Sequence, residues 1–321
     1  MRTIPAFIAM ALTLAASVAA SAWAQGYPNK PVMVISAFPP SSLDVIVRLV
    51  DGPFRAAFKQ PLVIENRPGA GGNIAAEAVG RSVPDGQTVL VTVDTVVTVN
   101  PRIYKDLKFR ADADLVPVIY MANSAQTLVC NPSVPVKSVS ELVAWARTHD
   151  MSYASGGQGV PGHLAAEMFL AATGVRMTHI PYKGPNAALQ DLLGGNVQCG
   201  FLSTPVVMPH VKSGKLLGLA VTTARRSPIA MDIPTMMEAG VAGYEASFGQ
   251  LLLVPKGTPP AVVAALNEAF GAALSQPEAR SRMLAMDLEF VPNSPEQALA
   301  RMRRESEKWA SIVDRLGLRV D

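Results

Sequence analysis

Met151-Ser152-Tyr153-Ala154-Ser155-Gly156-Gly157-Gln158-Gly159-Val160-Pro161-Gly162-His163 is a short apolar run that breaks into glycine and then opens a helical pattern. Met151 to Ala154 reads as a strand, and Gly162 to Thr173 as a helix. A strand, a glycine loop and a helix make the βα half of a parallel βαβ unit. The same sentence is written upstream: Pro31 to Ala37 is a strand, Asp44 to Phe58 a helix with Val45, Leu49 and Phe54 among its apolar residues, and Leu62 to Glu65 a strand. Asn73 to Ser82 is a helix after a glycine turn, and Val89 to Val93 a strand. Gln126 to Cys130 is a further strand, and Ser138 with Glu141 has the spacing of a helix capping box. Downstream, strands at Met177–Ile180, Val197–Leu202 and Leu216–Thr222 flank a helix at Asn186–Leu193 that stops at Gly194-Gly195. The tail is helical over Pro260–Ala273 and Pro295–Leu316. The expected fold class is therefore α/β.

In such sheets ligands bind beyond the carboxyl ends of the strands, where connections diverge. Three strand-to-helix turns there are rich in Gly, Ser, Pro or Asn: Phe38 to Asp44, Asn66 to Asn73 and Ser155 to His163. Each can present backbone N–H groups at a helix start, which favours an anion. Other chemistry is poorly supported. Gly157-x-Gly159-x-x-Gly162 has the form of a dinucleotide fingerprint, but Pro161 sits inside it and the next strand ends at Pro181-Tyr182-Lys183 with no acid to hold a ribose. Gly69 to Asn73 lacks the Gly-Lys-Ser/Thr of a nucleotide-hydrolysing loop. Ser155 has Tyr153 where a nucleophile elbow needs Gly. His149, His163, His179 and His210 are scattered, with His163 and Glu167 one helical turn apart as in a local hydrogen bond. Lys183 reads equally as a solvated side chain and as a cation at a cleft rim.

The start of the chain reads as an export signal. Met1-Arg2-Thr3 gives a positive start, Ile4 to about Val18 an apolar run too short for a membrane span, and Ala22-Trp23-Ala24 a small-x-small cleavage pattern. The cut is expected after Ala24, leaving just under three hundred residues from Gln25, a length that suits one large domain or two of ordinary size. The formal net charge of the 321 residues is +3 and no Lys/Arg block occurs, so nothing points to nucleic acid. Cys130 and Cys199 are the two cysteines. An exported chain allows a bridge between them, and two buried thiols fit the sequence equally well.

Ordered motifs run through the chain. Tyr27-Pro28-Asn29-Lys30-Pro31, Glu65-Asn66-Arg67-Pro68-Gly69-Ala70-Gly71-Gly72-Asn73, Pro84-Asp85-Gly86-Gln87-Thr88 and Pro181-Tyr182-Lys183-Gly184 come first. Leu192-Leu193-Gly194-Gly195, Ile233-Pro234-Thr235, Glu238-Ala239-Gly240 and Val254-Pro255-Lys256-Gly257-Thr258-Pro259 follow. Over nearly all of the mature chain this pattern resembles the Bug family of tripartite tricarboxylate transporter receptors.

The resemblance implies a type II periplasmic-binding-protein fold: two Rossmann-like α/β lobes joined by two crossing strands, closing on a ligand between them. Lobe 1 is expected over 25–126 plus 250–321 and lobe 2 over 127–249, with crossings near 127–131 and 247–254. The family holds carboxylates between two facing loops. Carried onto this chain, the contacts from lobe 1 are Phe38, Ser41, Ser42 and Asp44, with Asn73 and Thr95 beside them. Those from lobe 2 are Ser155, Gly156, Gly157, Gln158, Gly159 and His163, with Lys183 and Ser203 beside them. Relatives usually carry Pro-Gly-Gly-x-x-Asp in the first loop, where this chain has Pro40-Ser41-Ser42-Leu43-Asp44. They often carry Asp where this chain has Leu202-Ser203-Thr204, and its absence favours a plain carboxylate over an amino acid. The resemblance implies a monomeric, periplasmic, non-enzymatic receptor with no cofactor or metal, a small organic anion as ligand and membrane permease subunits as partners. Two further readings are a ligand sensor feeding a signalling partner and an exported hydrolase.

Overall fold

The alternating runs build two mixed sheets, each with helices on both faces. The computed structural model describes residues 26–38 and 41–320, so the export segment and Pro39-Pro40 lie outside the described residues. The first sheet begins with β1 (Val32–Ser36), α1 (Ser42–Phe58), β2 (Leu62–Asn66), a 3-10 turn at Ala70–Gly72, α2 (Asn73–Gly80) and β3 (Thr88–Val93). Short helical turns α3 (Thr95–Thr98), α4 (Asn100–Ile103) and α5 (Ala111–Asp114) precede β4 (Leu115–Ser124). The second sheet collects β5 (Gln126–Cys130), α6 (Val139–Ala146), β6 (Ser152–Ser155), α7 (Pro161–Thr173) and β7 (Thr178–Pro181). It continues with α8 (Pro185–Leu193), β8 (Cys199–Ser203), α9 (Thr204–Lys212) and β9 (Leu217–Val221). The chain then returns through β10 (Phe248–Pro255), α10 (Pro260–Ser275), α11 (Pro277–Ala285), β11 (Leu288–Glu289) and α12 (Pro295–Leu316).

The strand orders are β11-β4-β10-β3-β1-β2 and β7-β6-β8-β5-β9. β1 runs parallel to β2 and β3, and β6 parallel to β7 and β8. β10 and β5 run antiparallel to both their neighbours. The alternation of strands and helices argues for parallel βαβ units and says nothing of the direction of the strands that join the lobes. A strand that enters a sheet from the other lobe comes from the opposite end, so the two returning strands are reversed. The first passage between sheets lies at Ala125, ahead of the 127–131 segment expected to cross, and β5 belongs wholly to the second sheet.

Burial follows strand periodicity. In β10, Leu252 and Val254 face α1 and α10, while Leu251 and Leu253 face α2, α3 and α12. α1 buries Leu43, Ile46, Val47, Val50 and Phe54, leaving Val45 exposed. Its start is fixed by Ser41, whose hydroxyl accepts from Leu43 N–H, and by Asp44, whose carboxylate accepts from Ser41 N–H. The box expected at Ser138 forms only by half: Ser138 Oγ accepts from Glu141 N–H, but Glu141 reaches back one residue further, to Lys137 N–H.

α12 belongs to both lobes. Ala298 and Met302 pack on the first sheet, whereas Trp309, Ile312 and Val313 join the core of the second lobe together with Val99 and Ile103. Trp309 stacks on Phe248 at the start of β10, ring centroids 5.5 Å apart. The tail beyond α12 bridges Val320 to Tyr104. Cys130 and Cys199, opposed in the β5–β8 ladder, form a disulfide, which settles the pairing that the sequence leaves open.

Candidate functional site: the cleft between the sheets

The loop Gly156–Val160 leaves β6 and enters α7 without a side-chain cap; Val160 is the N-cap and Pro161 stands at the first helical position. Gly162 is required by packing, because a Cβ there would run into the carbonyl of Phe201 on β8. The glycine spacing that mimics a dinucleotide fingerprint thus serves close helix-to-strand approach.

Two imidazoles shape this loop from behind. His163 and His179 are stacked, centroids 4.1 Å apart, and Tyr153 stacks on the other side of His179 at 4.8 Å. The sequence leaves these histidines scattered; β6, β7 and α7 bring them together. His163 Nδ1 accepts from Gly159 N–H at 3.0 Å, so its proton sits on Nε2. Burial, and secondarily the neighbouring His179, pushes the His163 ring down to about 3; burial alone takes His179 down to about 4. Both rings are neutral at physiological pH. His163 Nε2 lies 3.8 Å from Glu167, too far for the local hydrogen bond expected between them, and Glu167 instead accepts from Tyr153 OH at 2.6 Å. Ser155 is fully buried, gives its hydrogen to the Gly157 carbonyl at 2.9 Å, and lies 2.7 Å from His179 Nε2, which then donates to it. A nucleophile must be open to substrate, and this hydroxyl is closed in.

With Gly157 N–H directed to Ser155 Oγ and Gly159 N–H to His163, the N–H groups of Gly156, Gln158 and Val160 have no acceptor among the described residues. Across from them, α2 also starts without a side-chain cap, on Gly72. Asn100, on α4, stands between these two helix starts. Its Nδ2 donates to Gly71 O at 3.0 Å and to Asn73 Oδ1 at 2.6 Å, and its Oδ1 faces Gly159, 3.9 Å from where a Cβ would stand. Ile103 closes on the same glycine: its Cδ1 would lie 2.5 Å from that Cβ, and Gly159 has φ +70°, so a side chain here is opposed twice.

The α1 loop contributes differently from the other two. Asp44 is buried, and its carboxylate is engaged by Ser41 N–H and by Asn66 Nδ2 at 3.0 Å each, so this helix start is already occupied by an acid of its own. Ser42 Oγ accepts from Gln250 Nε2 at 2.9 Å. The ring of half-buried Phe38 borders Gly72. Thr95 is buried at the start of α3, Ser203 is half-buried at the N-cap of α9, and Gln158 and Lys183 are exposed. Among the described hydrogen bonds none links Thr95, Lys183 or Ser203 to the other expected contacts.

Asn100 and Gln250 escape the sequence reading, and His179 enters it only as one of four scattered histidines. A glutamine inside the apolar run Phe248–Pro255 was the available signal for Gln250; Asn100 has none, because only the fold sets it against Gly71.

An open depression of about 650 Å³ lies elsewhere, between the far half of α7, residues 242–245 and α12. Its lining mixes Arg304 and Lys308 with Glu305 and Glu245 and includes none of the expected contacts. Among the described residues no group of His, Cys, Asp and Glu is arranged for a metal ion, and no helix is long and apolar enough to cross a membrane.

A profile of the tripartite tricarboxylate transporter family receptor, TctC, matches residues 46–318. The chain belongs to this family. The receptor is 33% identical to protein BugT of Bordetella pertussis over 309 residues, 95% of each chain. Rpa4515 of R. palustris, solved with adipate, superposes on it with a TM-score of 0.84 at 31% identity, covering 91% of this chain and 99% of that one. MatC (Rpa3494) from Rhodopseudomonas palustris, solved with bound malate, gives 0.80 at 28% identity, over 89% and 100%. The receptor is thus a Bug/TctC-type periplasmic solute-binding protein with the two-lobed α/β fold of its relatives.

Proposed function

We propose that the receptor captures a small carboxylate between its lobes and presents it to the membrane permease of a tripartite tricarboxylate transporter, acting as a monomer without cofactor and without catalysis. Lobe 1 is read as 25–126 with 250–321 and lobe 2 as 127–249, with Gln126 of β5 passing to lobe 2 and Phe248-Gly249 of β10 to lobe 1. The observation that carries this reading is the meeting of two uncapped helix starts, α2 and α7, across Asn100, with loop N–H groups left unengaged beside them. Such a place favours an anion through directed donors and the positive ends of two helices. That two structural relatives were solved with dicarboxylates supports the same ligand chemistry. The anion's seat is the Gly156–His163 loop facing Asn73, and the Phe38–Asp44 loop forms a wall rather than the main donor, since Asp44 already fills its helix start.

Calorimetric titration with a panel of mono-, di- and tricarboxylates is expected to yield a saturable ligand with one-to-one stoichiometry. Asn73→Asp keeps the acceptor that Asn100 needs but puts a negative charge beside the seat. It is expected to weaken that ligand on the order of 100-fold, because like charges brought together across an interface cost several kcal/mol. Unchanged affinity in a variant with a normal melting temperature would remove the seat from this place.

A further inference from the structure

Alternate backbone N–H groups of the α7 loop are tied back by side chains from three elements. Gly157 N–H donates to Ser155 Oγ of β6 at 3.3 Å, and Gly159 N–H to His163 Nδ1 of α7 at 3.0 Å. Ser155 spends its own hydrogen on the Gly157 carbonyl, so His179 Nε2 of β7, 2.7 Å away, is the donor to Ser155 Oγ. The Gly156 carbonyl is held from the other side, by Gly184 N–H at 3.0 Å. The rings that make these bonds are themselves fixed. Tyr153, His179 and His163 form one continuous stack, and Tyr153 OH ties its far end to Glu167. Ser155 and Tyr153 are fully buried and His163 is 8% exposed, so this assembly stands behind the loop.

A loop with glycine at 156, 157 and 159 has much backbone freedom to lose. If that freedom were lost only on binding, the ordering would count against affinity; a loop ordered beforehand avoids the cost. The alternation decides which donors remain. The two committed N–H groups flank Gln158, whose own N–H, with those of Gly156 and Val160, has no acceptor among the described residues. We propose that Ser155, His163 and His179 are positioning residues that hold the α7 loop and not the ligand, drawing the N–H groups of Gly157 and Gly159 inward and leaving those of Gly156, Gln158 and Val160 for one carboxylate group. The inference rests on the carboxylate-receptor reading above and replaces side-chain donation by Ser155 and His163 with backbone donation. It requires His163 to be neutral, because a protonated ring has no acceptor at Nδ1. It also makes the hydrogen bonds of the two histidines, and not their ring volume, the property on which binding depends.

Paired substitutions separate the hydrogen bond from the ring. His163→Phe keeps a stacked ring and removes the acceptor, whereas His163→Asn removes the ring and keeps an acceptor at the place of Nδ1. His179→Phe and His179→Gln form the same pair for the donor to Ser155. Affinity of the mature protein for the tightest of succinate, malate, adipate and citrate, by calorimetry, is expected to fall about tenfold in each Phe variant, the weight of one hydrogen bond. His163→Asn and His179→Gln are expected to recover most of that loss. In the ligand-free protein, hydrogen exchange at the Gly159 amide is expected to quicken about tenfold in His163→Phe and to return toward the parent rate in His163→Asn. The two pairs are independent, so the outcome does not depend on one variant folding. The opposite order, with the Phe variants binding as the parent does and the Asn and Gln variants weakened, assigns the histidines to packing and overturns the inference while the carboxylate reading stands. A Gly159 amide indifferent to the acceptor overturns it as well. No binding of any of the four acids by the parent, with the exchange order as expected, removes the carboxylate reading and supports the hold on the loop.

Discussion

Reducing the Cys130–Cys199 bridge is expected to lower the unfolding free energy by about 4 kcal/mol, the loop-closure value for a cross-link of this span. The cysteines are 69 residues apart in the chain and both fully buried, so the bridge shortens the unfolded chain by a long loop. It ties β5, the strand that carries the chain into the second lobe, to β8 at the centre of that lobe's sheet. The melting temperature of the reduced protein, or of the Cys130→Ala/Cys199→Ala variant, should fall on the order of 10 °C. Urea midpoints that coincide for oxidised and reduced protein would show that the bridge adds nothing. Because the disulfide lies within the second lobe, a loss of stability with unchanged ligand affinity is the expected pattern.

The second large effect concerns acid and base. Asp94→Asn is expected to stabilise the protein at pH 8 by up to about 4 kcal/mol and to leave it unchanged near pH 4. Asp94 is fully buried at the end of β3; its Oδ2 accepts from Gly249 N–H at 2.7 Å, while its Oδ1, Tyr120 OH and Glu305 Oε2 have no hydrogen-bond partner among the described residues, Glu305 Oε2 lying 3.7 Å from Lys308 Nζ. Burial pushes this carboxyl up to about 7 from its ordinary 3.8; the Gly249 hydrogen bond and the cations of Arg301 and Lys308 oppose the shift, and Glu305 adds to it. Between those two values the folded protein holds a proton that the unfolded chain has released. Stability from this group is therefore greatest below about pH 4, falls as the pH rises toward 7, and is flat above. Asparagine has no such loss; its carbonyl can take Gly249 N–H, and its NH₂ can find Tyr120 OH or Glu305. His163 and His179 act in the opposite sense, since their lowered values mean stability present above about pH 6.5 and lost as the pH falls toward their folded values. The difference between variant and parent cancels the histidines and isolates Asp94. Urea titrations at several values between about pH 4 and pH 8 measure it, and a difference constant with pH would refute the assignment.

How far these features could be read in advance depends on distance along the chain. The βα units were legible because apolar period and glycine loops are local, and β1, β2, β3, β6, β7 and β8 all stand where that pattern puts them. β4 was not read: Pro117 interrupts it, and in the fold Pro117 sits at a register shift of the β4–β10 ladder, where a missing donor is tolerated. The antiparallel direction of β5 and β10 is a property of lobe connection and leaves no local trace. At the site the loops were legible from composition, but their hydrogen bonding was not. Ser42 meets Gln250 across 208 residues and Asn73 meets Asn100 across 27, so which donors remain free is decided by contacts that spacing does not encode. Ser155 shows the same limit: its type and place suggest a ligand donor, while the fold turns it inward to Gly157 and His179.

α12, shared by the two lobes, supplies the receptor with its own optical gauge. Of the three tryptophans, Trp23 precedes the expected cut, Trp145 lies flat on His149 at 3.6 Å on the outer side of the second lobe, and Trp309 rests on Phe248 where the chain crosses back. If the lobes open by bending at Ala125 and ahead of β10, the surroundings of Trp309 at that joint are expected to change, while those of Trp145 stay as they are. The emission of a single side chain should therefore track lobe separation in solution, with Trp145→Phe removing the background and no external dye required.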